Sequence, residues 1–140
     1  MSWDLYAFDL PGEVTSLRTL PADARPKSLG DRREWIERMR SLVPDLRVET
    51  SGPIVFGYYS GDDFRVQIGF GNRETIDCIA FHIYGGQGGI DFAVAVTKAL
   101  GLAPFDMQSM ERYSAAGAAE TLNEFEQAVA RYKVSRGIKT

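Results

Sequence analysis

The residues of this chain with the most chemical reach are one histidine, one cysteine and four glycines, all within twelve positions. His82 and Cys78 lie in the run Thr75–Tyr84 (TIDCIAFHIY), and Gly85-Gly86-Gln87-Gly88-Gly89 follows it directly. In a pleated strand Ile76, Cys78, Ala80, His82 and Tyr84 share one face, opposite Thr75, Asp77, Ile79, Phe81 and Ile83. An imidazole acts as a general acid or base only with a positioned partner, and Asp91 or Asp106 could supply one in space. The plainer reading, and the expected one, is a core histidine with its hydrogen bonds satisfied. Cys78 and His82 cannot form a nucleophile–base pair, because four residues along a strand span about 13 Å. Cys78 reads as a small buried hydrophobe.

The glycine run ahead of an apolar helical segment invites a phosphate-cradle reading, since helix N-termini bind anions. Two tests go against it. No Lys-Ser/Thr pair of the P-loop type follows, and Asp91 stands where the third glycine of G-x-G-x-x-G belongs. Asp91 also puts negative charge where an anion would sit, so it is expected to cap the helix or complement its dipole. With one cysteine and one histidine, a metal site would have to be mostly carboxylate, and no carboxylates have EF-hand spacing. No serine sits in a G-x-S-x-G elbow. No cofactor and no metal are expected.

The elements that would position these residues can be read in order. Trp3–Leu10 is a strand rich in aromatics, stopped by Pro11-Gly12. Glu13–Lys27 has no clear period and reads as an ordered loop that is either functional or partly structured. The spacing predicts a helix over 28–43, with Ser28 and Asp31 as a capping-box pair, an apolar stripe from Trp35 to Val43, and a solvated face carrying Arg32, Arg33, Arg38 and Arg40. A short strand over 46–50 is followed by a hairpin, 54–59 and 64–70, around Ser60-Gly61-Asp62-Asp63. The hairpin leads through Gly71–Glu74 into Thr75–Tyr84, the candidate central strand, making three consecutive antiparallel strands. A buried helix over 90–100 ends at Gly101 in a left-handed cap. Ala103–Met107 reads as an edge strand because of Pro104. A last amphipathic helix is expected from about Ala115 to about Arg136, with a basic end.

The expectation is therefore one α+β domain over residues 1–140, a mainly antiparallel sheet packed by about three helices. Its 140 residues suffice for a real core, and 44% hydrophobic and 25% charged residues are ordinary globular usage. A single cysteine excludes an intramolecular disulfide and is compatible with a reducing compartment. Met1-Ser2-Trp3-Asp4 lacks the basic region of a signal peptide, and no apolar run reaches the length of a membrane helix. A cytoplasmic protein without membrane contact is expected. A net charge of −3 argues against nucleic acid as a partner.

Charge distribution points elsewhere. Between Val48 and Asp91 the acids Glu49, Asp62, Asp63, Glu74, Asp77 and Asp91 face only Arg65 and Arg73. An acidic hairpin rim can steer a basic partner, although scattered solubilising charge would look much the same. Tyr58 and Tyr59 are adjacent, so a strand cannot bury both on one face. Tyr58, Tyr59, Asp62 and Asp63 are accordingly the expected partner-binding residues. His82 and Asp91, beside the Gly85–Gly89 loop, are the alternative ligand-binding pair.

The opening MSWDLYAFDLP, the strand end FHIYGG and the later LGLAPFDMQ together resemble, in the same order, a family of small bacterial proteins that open on MSWDLxxFDLP. The resemblance covers most of the chain and brings no catalytic motif with it. Small acidic bacterial domains of this type look like immunity proteins, and the resemblance of type implies a non-enzymatic module that binds and neutralises a cognate toxin. No residue role travels with it. The alternative is a small-ligand-binding protein or enzyme with a pocket near His82.

Overall fold

Period-two patterning decides the centre of this molecule. Along Phe64–Gly69, Val66 and Ile68 are buried while Gln67 is half-buried and Arg65 exposed, and along Cys78–Gly85 the buried positions are Ile79, Phe81 and Ile83. The computed structural model describes residues 2–20 and 25–113. Its strands are β1 (Trp3–Phe8), β2 (Gly30–Asp31), β3 (Arg47–Glu49), β4 (Phe56–Ser60), β5 (Phe64–Gly69), β6 (Thr75–Ile76), β7 (Cys78–Gly85), β8 (Ala103–Asp106) and β9 (Glu111–Arg112). Seven of them form one sheet in the order β3-β4-β5-β7-β1-β8-β9, every pairing antiparallel, and β2 pairs with β6 separately. The expected α+β class, the consecutive β4-β5-β7 arrangement and the central place of the 78–85 segment all appear, with β1 beside β7.

Two helices lie among the described residues, α1 (Arg32–Leu42) and α2 (Gln87–Ala99), where about three were expected; the helix expected over 115–136 falls outside the described residues. Both pack into the same core. Trp35 and Met39 of α1 and Phe92, Ala93 and Val96 of α2 share a cluster with Leu5, Ile68, Phe81 and Ile83. The helix-bearing face of the sheet is therefore the dry one. Among the described residues the second face is covered at one corner, where Leu10, Val14, Ala103 and Phe105 cluster with Phe8, Leu17 and Leu20. That corner explains the long loop. Arg112 donates from Nε to Val14 O at 2.9 Å and from Nη2 to Pro11 O at 2.7 Å, and its guanidinium stands over the Phe105 ring, tying the loop down.

Several boundaries differ from expectation for local reasons. The Thr75–Tyr84 run is not one strand: it breaks at Asp77, because Thr75–Ile76 turns aside to anchor the start of α1. There Leu29 N donates to Ile76 O at 2.8 Å and Arg32 N to Glu74 O at 2.7 Å. The cap of α1 is Asp31, whose carboxylate accepts from Arg33 N at 2.9 Å, rather than Ser28, which bonds to Gly30 N and Ile76 O. The end of α2 follows expectation. Gly101 takes φ 76°, Leu102 N reaches Thr97 O at 3.0 Å and Gly101 N reaches Lys98 O at 2.9 Å, the paired bonds of a Schellman motif. β8 is not the edge strand expected from Pro104, since β9 lies outside it. Pro104 fits because its carbonyl accepts from Tyr113 on the outer side, where its missing N–H would also point and β9 has already ended.

Candidate functional site

The second face of the sheet collects the polar residues that strand alternation excludes from the core. Register places them in rows. Arg47 stands opposite Tyr58, Tyr58 opposite Gln67, Gln67 opposite His82, and His82 opposite Asp4. One row of five side chains thus crosses β3, β4, β5, β7 and β1, about 19 Å from end to end at ordinary strand spacing. Neither described helix lies over it, and its members are half-buried apart from the exposed Arg47.

His82 Nδ1 is 2.9 Å from Asp4 Oδ1, with side-chain exposures of 27% and 39%. A carboxylate at that distance selects Nδ1 as the hydrogen-bearing nitrogen, so that in the neutral imidazole Nε2 is the acceptor. Ser2 Oγ donates to the same carboxylate oxygen at 3.4 Å, and the Tyr6 ring meets the imidazole edge-on at 6.3 Å between centroids. Elsewhere in the row, Gln67 Nε2 donates to Tyr58 Oη at 3.4 Å and the Arg47 guanidinium stands 4.9 Å from the Tyr58 ring centre. Chemically, the pair is a base oriented by a carboxylate, on a broad sheet face.

The partners foreseen for His82 are not the ones it has. Asp91 belongs to α2, on the opposite side of the sheet, and accepts from Gln87 Nε2 at 3.1 Å. Asp106 shares the face of Leu5 and accepts from Gln108 N at 2.9 Å. The alternative ligand pair His82 and Asp91 is therefore split by the sheet. Nor does Asp91 cap its helix, which starts at Gln87 and has no acidic residue in its first turn. Asp4, Tyr6, Gln67 and Arg47 were missed. The signal for the first two was present, since WDLYAF alternates Asp4, Tyr6 and Phe8 against Leu5 and Ala7; nothing local reveals that β1 lies beside β7.

Burial raises two titrating groups on this face. The Cys78 thiol is pushed above its ordinary value by burial and then by the Asp77 carboxylate. The Tyr6 phenol is raised by burial, then by Cys78 and Asp4. Both are neutral near pH 7, so Cys78 is a poor nucleophile and Tyr6 a hydrogen-bond donor. Among the described residues, no group of three or more His, Cys, Asp or Glu could hold a metal.

The expected partner-binding residues divide. Tyr59 faces the core, its ring stacked on Phe92 at 4.4 Å and 7°. Tyr58, one residue earlier, faces the row. Asp62 and Asp63 are exposed in the β4–β5 turn, which is closed by Gly61 N donating to Phe64 O at 2.9 Å and held on the β7–α2 corner by Gly86 N donating to Asp63 O at 3.3 Å. This packing explains the glycine run. A Cβ on Gly85, at φ 105°, would meet Asp63 O, and one on Gly89 would meet Ile83 and Phe64. The glycines admit the turn. An open groove of about 490 Å³ runs along this corner, lined by Asp62, Asp63, Arg65 and Tyr84 among others.

The chain matches no family model, no curated protein and no solved structure.

Proposed function

We propose that this protein is a non-enzymatic binding module of the immunity type, which neutralises a cognate bacterial toxin by occupying its surface. The observation that carries the reading is the acidic β4–β5 turn. Asp62 and Asp63 are exposed on a turn seated against Gly85, Gly86 and Gly88, beside an open groove flanked by Tyr84, itself 36% exposed. A pre-formed acidic projection loses little entropy on binding and steers a basic partner. Tyr58 remains available as an aromatic contact on the adjoining face, whereas Tyr59 is committed to Phe92. The test is kinetic. The protein encoded by the neighbouring open reading frame is purified, and its association with wild type and with the Asp62→Lys/Asp63→Lys variant is followed at low salt. Association should slow about tenfold or more with the fold unchanged, as expected when steering charges are reversed. An unchanged rate removes the turn from the interface and directs attention to the 13–27 loop.

A second reading rests on the 2.9 Å contact between Asp4 and His82. In it, His82 Nε2 is the base of a small-ligand site or enzyme, and Asp4 replaces Asp91 as its partner. His82→Gln separates the two. A binding module keeps its partner affinity and loses a little stability, whereas loss of a measured activity at an unchanged melting temperature favours the ligand site.

A further inference from the structure

We infer that the polar row on the second face is a self-association surface whose occupant is a second copy of this chain, meeting it across a two-fold axis along β5. The argument lies in the order of the five residues. Arg47 is a cation at one end of the row, Asp4 an anion at the other, Tyr58 and His82 are aromatic polar groups at the intermediate positions, and Gln67 is at the centre. A two-fold axis in the plane of contact and parallel to β5 reverses the row onto itself. Arg47 of each copy then opposes Asp4 of the other, Tyr58 opposes His82, and Gln67 opposes Gln67, whose amide both donates and accepts. Isologous contacts require a patch that complements itself in this way, and a row carrying one sign of charge would not.

The chemistry of each pairing is already in place. Asp4 commits Oδ1 to His82 and Ser2, which leaves Oδ2 for an incoming guanidinium. His82 presents Nε2 as an acceptor toward the Tyr58 hydroxyl. The face is a twisted antiparallel sheet uncovered by the described helices, and two such faces pack with their strands nearly aligned. Like charges oppose the arrangement in two places: the exposed Asp62-Asp63 turn at the start of β5, which the axis carries beside its own copy, and Arg65. Arg65 lies on β5 two residues from Gln67, on the same face, so it meets its own copy near the axis; its exposed guanidinium is drawn aside over the Tyr84 ring, 5.5 Å from the centre. That like-charge contact weakens the dimer and gives a test that only this axis predicts.

Sedimentation velocity of the full chain at low salt, over concentrations rising to the order of 1 mM, should show a reversible dimer. Arg47→Glu and Asp4→Lys should each weaken it about tenfold or more, because symmetry makes every charge reversal act twice. The double variant should recover most of the loss, since the pair is restored in the opposite sense. Arg65→Gln should tighten the dimer, and Gln67→Glu should weaken it by placing like charges on the axis. Should Asp4→Lys fail to fold, Arg47→Glu and Gln67→Glu carry the test together. A monomer at every concentration overturns the inference, including one that uses this face for another protein. So does a dimer indifferent to single reversals, or one that the double variant does not restore. None of these outcomes bears on the acidic turn, whose test is read from the association rate of a different partner.

Discussion

The two faces of the central sheet are built from the same strands and obey different physics. On the helix-bearing face Leu5, Ile68, Phe81 and Ile83 are shielded by α1 and α2, with Phe81 and Ile68 at 0% exposure. On the other face their immediate neighbours Asp4, Tyr6, Gln67 and His82 keep solvent contact, with His82 bonded to Asp4 and Gln67 to Tyr58 across strands. Side chains one residue apart therefore answer to packing density on one side and to electrostatics on the other. Stability should reside in the first face, and the contact between copies inferred above in the second.

Substitutions can break that contrast, and the largest effect belongs to the dry face. Phe81→Ala removes a fully buried ring from the middle strand and should destabilise the protein by about 3–5 kcal/mol, read by urea denaturation. Gly85→Ala comes next. It forces a Cβ onto a φ of 105° and against Asp63 O, so a loss of about 1–3 kcal/mol is expected. The turn should loosen with it, visible as faster hydrogen exchange at Gly86 N. Asp31→Ala removes the α1 cap and should lower stability by about 1 kcal/mol, with helical circular dichroism retained. His82→Gln should be smaller, about 0.5–1 kcal/mol, because its bond to Asp4 is half-exposed. If His82→Gln destabilised as much as Phe81→Ala, the two faces would not divide the work as described.

Titration sharpens the comparison from another side. Cys78 and Tyr6 both have folded-state values raised above their unfolded ones, so the folded state favours the protonated form. Their contribution is fully present below the unfolded value and is lost as pH climbs through the folded one. Stability should be insensitive to these groups near neutrality and decline above about pH 9, the ordinary thiol value, with the Tyr6 contribution following at higher pH. Thermal melts from pH 7 to 11 measure this, and Cys78→Ala should remove the earlier part of the decline. Iodoacetamide should alkylate Cys78 in the folded protein more slowly at pH 8 than the same thiol in urea.

Much of the fold is legible because local rules and tertiary packing agree. Alternation marks β5 and β7, the apolar stripe of Trp35 and Met39 marks α1, and Gly101 ends α2 as a left-handed residue should. These signals are short-range, so a sequence carries them openly. The split at Asp77 was hidden because β-type patterning continues through it. What diverts Thr75–Ile76 is the need to hold Leu29 and Arg32, more than 40 residues earlier.

By itself, the sequence determined which side of its strand each residue occupies: His82 with Ala80 and Tyr84, Tyr58 opposite Tyr59, Asp4 opposite Leu5. It could not determine what stands across the neighbouring strand, because strand order is set by how the seven strands of the sheet and the two described helices close a common core. That ordering put Asp4 against His82 across 78 positions of chain, sent Asp91 to the far side of the sheet, and turned four glycines into the seat of an acidic turn. Alternation is a property of the backbone of each strand alone, whereas register and adjacency exist only once the strands have paired.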